Sequence, residues 1–245
     1  MLLLAHISDL HLDGTDRATE RATRVMRYLT GLPTPVDALL VTGDIADNGD
    51  LSEYDEAAAL LAAPFPVLAC PGNHDIRPAY RKGLLGEPAD GGPINRVHHV
   101  GGTAILMCDS SIPGRHDGLL DNETLHWIST TLGEHHDAPA LLAFHHPPIA
   151  LHHPLPDSLQ LGEPQELHDL LSRHSNVVGV LVGHAHTAAA STFAGLPLLV
   201  APAVTWTLRM PWEGEDAADR SQPPGVAFHV LDDERRLTTH YRVVL

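Results

Sequence analysis

Five apolar runs in this chain break off in the same chemistry. LLLAHIS ends at Asp9-Leu10-His11, DALLVT at Gly43-Asp44, VLACP at Gly72-Asn73-His74-Asp75, ALLAF at His145-His146 and VVGVLV at Gly183-His184-Ala185-His186. The runs are short and continuously apolar rather than alternating, the pattern of strands buried on both faces. Strands of that kind need helices or a second sheet on each side, and loops at their ends are where a rigid sheet can hold a site. One such ending would be an ordinary polar turn. Five in one chain constrain both fold and chemistry.

Helical patterns stand between the runs. Residues 16–30 place Ala18, Ala22, Val25, Met26 and Leu29 on one stripe. A second helix is predicted across LSEYDEAAALLAA. A third opens at DNETLHWISTTL, with Asp121 as N-cap and Leu120 packing on Leu125, and a fourth lies near 164–174. HVGGTAILMCDSS reads as a strand running into a loop. LPLLVAPAV, GVAFHVLD and LTTHYRVVL read as closing strands with no helix between them. The expected architecture is a layered α/β sandwich, helices outside and sheets inside. At 245 residues and 43% hydrophobic, with no linker or repeat, the chain is read as one domain over 1–245.

Asp9, His11, Asp44, Asn73, His145, His184 and His186 form a set of oxygen and nitrogen donors without thiolate. That set suits divalent Mn, Fe, Co or Zn rather than a structural cysteine site. Seven side chains are too many for one ion that keeps a position open to substrate, so two ions sharing one carboxylate are expected. Asp9 and His11, two apart on an extended chain, are expected to point to the same side and chelate together, and so are His184 and His186. Strand alternation likewise predicts that His145 and His146 point to opposite faces.

The formal net charge of −16 argues against a nucleic-acid polymer as partner. It leaves a small anion open, because a local cation can reverse the field in one cleft. MLLLAHISDLHLD lacks a basic leader and a cleavage site, and no run approaches the ~18 apolar residues of a membrane span, so a soluble cytoplasmic protein is expected. Cys70 and Cys108 sit in strand-like runs and read as buried thiols.

The motifs DxH, GD, GNHD, H and GHxH, in this order, resemble the calcineurin-like metallophosphoesterase superfamily. VTGDIADNGDLSEY, CPGNHD, CDSSIPGRHDGLLDNETLHWI, FHHPP and VGHAHT are similar in particular to class III cyclic nucleotide phosphodiesterases and related small phosphodiesterases. The resemblance implies a four-layer α/β/β/α sandwich of two mixed sheets flanked by helices. It implies that Asp9, His11 and His186 hold one metal, that Asn73, His145 and His184 hold the other, and that Asp44 bridges them. It also selects His145, not His146, as the ligand, and makes His74 the acid beside the leaving group with Asp75 supporting it.

The implied activity is hydrolysis of small phosphodiesters, cyclic AMP-type nucleotides foremost, by a hydroxide shared between the metals. A phosphomonoesterase, a glycerophosphodiester or nucleotide-pyrophosphate hydrolase and a non-catalytic scaffold of the same fold are the alternatives. Ser/Thr protein phosphatases of the superfamily carry arginine where this chain has Asn48, and GNHE where it has GNHD, so protein-phosphatase activity is not expected. Arg115, His116, His152 and His153 are candidates for contacts to substrate outside the metal core. Tyr54 and Trp206 are expected to pack rather than stack on a base. A homodimer is the expectation by analogy with relatives alone.

Overall fold

A computed structural model describes residues 1–245. In chain order the elements are β1 (Leu2–Ile7), α1 (Asp16–Thr30), β2 (Ala38–Thr42), α2 (Leu51–Leu60), β3 (Val67–Cys70), α3 (Arg77–Gly83), β4 (Arg96–Val100) and β5 (Thr103–Met107). They continue as α4 (Asn122–Glu134), β6 (Ala140–Ala143), α5 (Pro154–Asp157), α6 (Pro164–Leu171), β7 (Val177–Val182), β8 (Ala189–Phe193) and β9 (Leu196–Val200). The last are β10 (Thr207–Leu208), β11 (Ala218–Asp219), β12 (Gly225–Leu231) and β13 (Leu237–Val243).

Two mixed sheets form the centre. One has five strands in the order β13-β12-β1-β2-β3, the other six in the order β4-β5-β6-β7-β9-β8. β1, β2 and β3 are parallel and so are β5, β6, β7 and β9, while β12, β13, β4 and β8 run antiparallel to their neighbours.

Strand period 2 sorts the core into layers. β1 turns Leu2 and Leu4 toward the second sheet, β2 does the same with Ala38 and Leu40, and they meet Ile105, Met107, Leu141, Ala143 and Leu181 there. The alternate residues Ala5, Ile7, Leu39 and Val41 pack under the predicted stripe of α1, with Tyr54 and Ala57 of α2. On the far side Ala104, Leu106, Ala140, Leu142, Val180 and Val182 pack under Ile128 and Leu132 of α4 and Leu167, Leu170 and Leu171 of α6. The result is the four-layer α/β/β/α sandwich, with cores on both outer faces and one between the sheets.

Local signals explain most element ends. Thr15 caps α1, and the Asp121 carboxylate accepts from Thr124 N at 2.8 Å to start α4, an interaction of about 1 kcal/mol. Asp50 and Glu53 form a capping box at α2. The stretch read as one strand before the CDSS loop is instead a hairpin. Gly101 and Gly102, both at positive φ, turn β4 back against β5. Cys70 and Cys108 are buried free thiols, and burial pushes both well up. No helix is long and apolar enough to cross a membrane.

Candidate metal centre

The ends of β1, β2, β3, β6 and β7 converge, but not by strand alternation. β1 stops at Ile7 and β7 at Val182. Beyond them Asp9 (φ 55°), His11 (φ 45°), Asp44 (φ 49°), His184 (φ 66°) and His186 (φ 50°) all take the left-handed backbone conformation. Each such residue costs on the order of 1–3 kcal/mol and persists only where its surroundings hold it. Here the loops are braced by backbone bonds that prolong the ladder: Asp9 N to Gly43 O (3.1 Å), His11 N to Asp44 O (2.9 Å), Thr205 N to Asp9 O (3.0 Å) and Leu208 N to His186 O (2.8 Å). The same-side expectation for Asp9 with His11 and His184 with His186 is therefore corrected in its cause. Kinked loops, not a pleated strand, aim these side chains.

The close approach of the loops also dictates glycine. A Cβ on Gly72 would lie 2.2 Å from Asp44 Oδ1, and one on Gly183 would lie 1.9 Å from Ser8 Oγ.

Asp44 stands at the middle. Its Oδ2 is 3.5 Å from His11 Nε2 and 3.3 Å from His145 Nε2, and its Oδ1 accepts from His74 N at 2.9 Å. On one side His186 Nε2 is 3.4 Å from Asp9 Oδ1 and 3.1 Å from His11 Nε2. On the other, His184 Nδ1 is 3.2 Å from His145 Nε2. Asp9, His11 and His186 fall in one potential donor group, Asp9, Asp44 and His145 in another, His11, Asp44 and His74 in a third, and His145, His146 and His184 in a fourth, so six of the seven predicted residues lie in overlapping donor groups and Asp44 belongs to two of them.

The far nitrogens determine what these imidazoles present. His145 Nδ1 meets the Thr42 carbonyl at 2.6 Å, His186 Nδ1 the Trp206 carbonyl at 3.2 Å and His11 Nδ1 the Asp47 carboxylate at 2.9 Å. Each partner only accepts, so each Nδ1 carries a proton and each Nε2 is the atom that faces inward, with a lone pair to offer once the ring is neutral. Both Asp9 carboxylate oxygens and Asn73 Oδ1 are buried with no hydrogen-bond partner. Burial pushes Asp9 up to about 6, with Asp44 adding to the rise against the pull of His145. Burial would lower His145, but Asp44 and Asp9 outweigh it and raise it to about 9. Buried carboxylate oxygens without donors and imidazole nitrogens crowded on one another are what divalent cations satisfy, taking the place of the proton on His145, and the donor set fits them.

The remaining predicted residues divide. His74 is half-buried beside the centre, its Nδ1 2.7 Å from the Asp47 carbonyl, so Nε2 is the nitrogen free to face a ligand. Asp75 does not touch the His74 ring. Its carboxylate accepts from Gly72 N (2.8 Å), Ala46 N (3.1 Å), Ile45 N (3.2 Å) and the Tyr54 hydroxyl (3.1 Å). It ties the Asp44 loop to the Asn73 loop, which corrects the support expected for His74. Burial and the neighbouring Asp44 raise it to about 6.

His116 is exposed, with Nδ1 3.3 Å from Asn73 Nδ2. Arg115 lines the same cavity but is paired with Asp117. His152 and His153 do not line the cavities at the centre, contrary to their reading as rim residues. His153 is buried and its Nδ1 accepts from Leu155 N at 3.1 Å, capping α5. His145 and His146 both lie past the end of β6 and both are buried, so opposite strand faces do not describe them. His146 Nδ1 sits 2.8 Å from Ser110 Oγ. Tyr54 is buried, and Trp206 stacks on His186 with ring centroids 3.8 Å apart.

Sequence reading missed Asp47, which holds His11 through its side chain and His74 through its carbonyl. Its place three residues after Asp44 in GDIAD was the available signal.

Two cavities meet at His74, Asn73 and Asp47. One of about 530 Å³ runs past Asn48, Arg77, Ser111 and His116; the other, about 270 Å³, runs from His11 and His186 to Leu155, Leu159 and Trp206. Arg77 in the first is braced by Asp109 at 2.8 Å and the Ser111 carbonyl at 2.8 Å.

The family model for calcineurin-like phosphoesterases matches residues 2–188. The chain belongs to this family. It is a metal-dependent phosphoester hydrolase, and the same residues that carry the sequence motifs build the donor cluster. It is 34% identical over 223 residues to a cAMP/cGMP dual specificity phosphodiesterase of Mycobacterium tuberculosis, covering 84% of this chain and 68% of that one. It is 30% identical over 243 residues to the glycerophosphodiester phosphodiesterase GpdQ of Enterobacter lignolyticus, covering 93% and 86%. Among solved structures, a dimetal phosphatase from Danio rerio shares the fold at a TM-score of 0.76 and 15% identity, over 100% of this chain and 96% of that one.

Proposed function

We propose that this family member hydrolyses small phosphodiesters, cyclic nucleotides foremost, at a centre of two divalent ions of the Mn, Fe, Co or Zn class. Asp9, His11 and His186 would hold one, Asn73, His145 and His184 the other, and Asp44 both. The observation that carries this is the inward set of Nε2 atoms around Asp44, with the outer nitrogens of His11, His145 and His186 each committed to an acceptor. Bound there, the ions supply Lewis acidity to the phosphoryl group and lower the pKa of water beside it.

The chain's own residues do the rest. Asn73, neutral where another carboxylate could stand, preserves a positive surplus that attracts an anionic diester into an acidic protein. His74 has Nδ1 engaged by the Asp47 carbonyl at 2.7 Å, so its imidazolium form carries a transferable proton on Nε2. It delivers that proton to the alkoxide oxygen as the P–O bond breaks, which matters most for a poor leaving group. Leu155, Leu159 and Trp206 give one side of the cavity at the centre an apolar lining. Similarity to both cyclic nucleotide and glycerophosphodiester phosphodiesterases supports diesters over monoesters as the substrate class.

The test is a substrate panel of cyclic AMP, a 2′,3′-cyclic nucleotide, a glycerophosphodiester, and a nitrophenyl diester with its monoester, run on wild type and His74→Ala. Diesters should be preferred. His74→Ala should keep its metal and lose far more activity on alkyl diesters than on the nitrophenyl diester. Preference for the monoester would overturn the substrate reading, and equal losses on both diesters would overturn His74 as acid.

A further inference from the structure

The inter-sheet core contains two imidazoles that the hydrolytic reading does not use. His6 shares the inward face of β1 with Leu2 and Leu4, and His229 shares that of β12 with Leu231; both are fully buried. They are linked in one chain. Thr239 Oγ1 lies 2.7 Å from His229 Nδ1, His229 Nε2 3.0 Å from His6 Nδ1, and His6 Nε2 2.9 Å from Thr42 Oγ1. Burial holds His229 down to about 3, and burial with the neighbouring His229 holds His6 well below its ordinary value, so both rings are neutral at neutral pH. A neutral imidazole has one donor and one acceptor. The three links therefore all run in one direction or all in the other, and every ring nitrogen is satisfied only while the chain is whole.

Thr42 is the last residue of β2, and its carbonyl is a second node. It accepts from Ser8 Oγ at 2.7 Å and from His145 Nδ1 at 2.6 Å. Next to it Gly43 turns at φ 85° to begin the Asp44 loop. The hydroxyl of Thr42 thus belongs to the buried chain while its carbonyl sets the tautomer and direction of His145. Removing the hydroxyl would leave a fully buried His6 nitrogen without a partner, which the end of β2 would have to move to relieve.

We propose that Thr239, His229, His6 and Thr42 form a positioning chain for His145, holding the Thr42 carbonyl where it turns His145 Nε2 onto the metal centre. This rests on the reading of His145 as a ligand. A hydrogen-bonded partner outside the ligand set is worth about tenfold or more in metal affinity, and the chain extends that support across four strands to the edge strand β13.

The experiment uses the full chain, stripped of metal and titrated with Mn²⁺ and with Zn²⁺ against a competing chelator. Bound equivalents are read by elemental analysis, and the melting temperature of each metal-free protein is measured. Thr42→Val should weaken one equivalent, the one that His145→Ala loses, about tenfold, Thr42→Ser should restore it, and His229→Gln should weaken it as Thr42→Val does. If Thr42→Val does not fold, His229→Gln gives the same reading. Variants that melt lower but bind both equivalents with wild-type affinity would show a purely structural chain and overturn the proposal. His145→Ala, measured alongside, should lose the same equivalent. Its retention of both would instead sink the ligand assignment on which the proposal stands.

Discussion

His11 Nε2 faces His186 Nε2 at 3.1 Å, and when both rings are neutral neither nitrogen has a proton to place in the gap. Asp47 takes the proton side of His11 and the Trp206 carbonyl that of His186, so in the neutral rings two lone pairs face each other, a repulsion that a cation, or a proton on His11 drawn there by Asp47, Asp44 and Asp9, relieves. Asp47 is the removable part of this arrangement, because its carboxylate is half-exposed while the Trp206 contact is backbone. Asp47→Ala frees His11 to change tautomer and to rotate. It should lower affinity for one metal equivalent by about 10- to 100-fold with little change in fold. Chelator competition on wild type and variant measures this, and equal affinities would show that Asp47 does not orient His11.

Gly72 tests how tightly the two loops close. The Cβ introduced by Gly72→Ala would stand 2.2 Å from Asp44 Oδ1 and 2.5 Å from Asp44 N. The Asn73 loop must therefore retreat from the Asp44 loop. Overpacking of this kind costs about 1–3 kcal/mol, and on the proposed reading the displaced group would hold both metals. The expected outcome is a lower melting temperature together with loss of both equivalents, whereas Asp47→Ala should affect one. Metal stoichiometry beside a thermal melt separates the two cases.

Much of this site was legible because polar residues interrupt apolar runs where a sheet ends. The stripe of α1, the cap at Asp121 and the convergence of the DxH, GD, GNHD and GHxH segments all follow from local pattern. The backbone that aims these side chains was not legible. Asp and His tolerate the left-handed region better than most residues, but only the braced loops around Asp9 and His186 impose it, and those braces come from distant strands. Asp47 was missed for a related reason, since one more carboxylate in GDIADNGD carries no mark of its spatial partner. His153 was misplaced although the pattern was local: followed by Pro154 at the first helical position, it caps α5 rather than lining a cavity. Gly101 and Gly102 likewise signalled the hairpin that separates β4 from β5.

Acid should destabilise the fold through its inter-sheet core. His229 is held down to about 3 and His6 well below its ordinary value, in both cases first by burial. Below pH 6.5 the unfolded chain binds protons on these imidazoles that the folded chain refuses. Their contribution is thus fully present above about pH 6.5 and is lost as pH falls toward 3, by about 1.4 kcal/mol per pH unit for each ring that stays neutral. Urea unfolding of metal-free protein at pH 7.0 and 5.5 should show the drop, and His229→Gln should show a shallower one whatever its stability at pH 7.0. Identical slopes in the two proteins would mean that His229 accepts a proton in the folded state.

Asn73 separates ligation from charge. Its Oδ1 is buried without a partner while its amide nitrogen faces His116 Nδ1 at 3.3 Å, so the side chain offers an oxygen to the centre and a donor to the cavity. Asn73→Ala removes the oxygen and should lose one metal equivalent. Asn73→Asp keeps an oxygen there and should retain both equivalents, but it adds a negative charge among Asp9 and Asp44 and replaces the amide donor with an acceptor. A monoanionic diester then approaches a centre whose positive surplus has been cancelled. At the few-ångström separations of the site, an extra unit charge is worth upward of 1 kcal/mol even with strong screening, so KM should rise about tenfold or more with metal content unchanged. Raising ionic strength should narrow the gap between wild type and Asn73→Asp, because salt screens the partly open cavity. If Asn73→Asp binds substrate as wild type does, the neutrality of position 73 is not what admits the anion, and the donor to His116 becomes the part of Asn73 that matters.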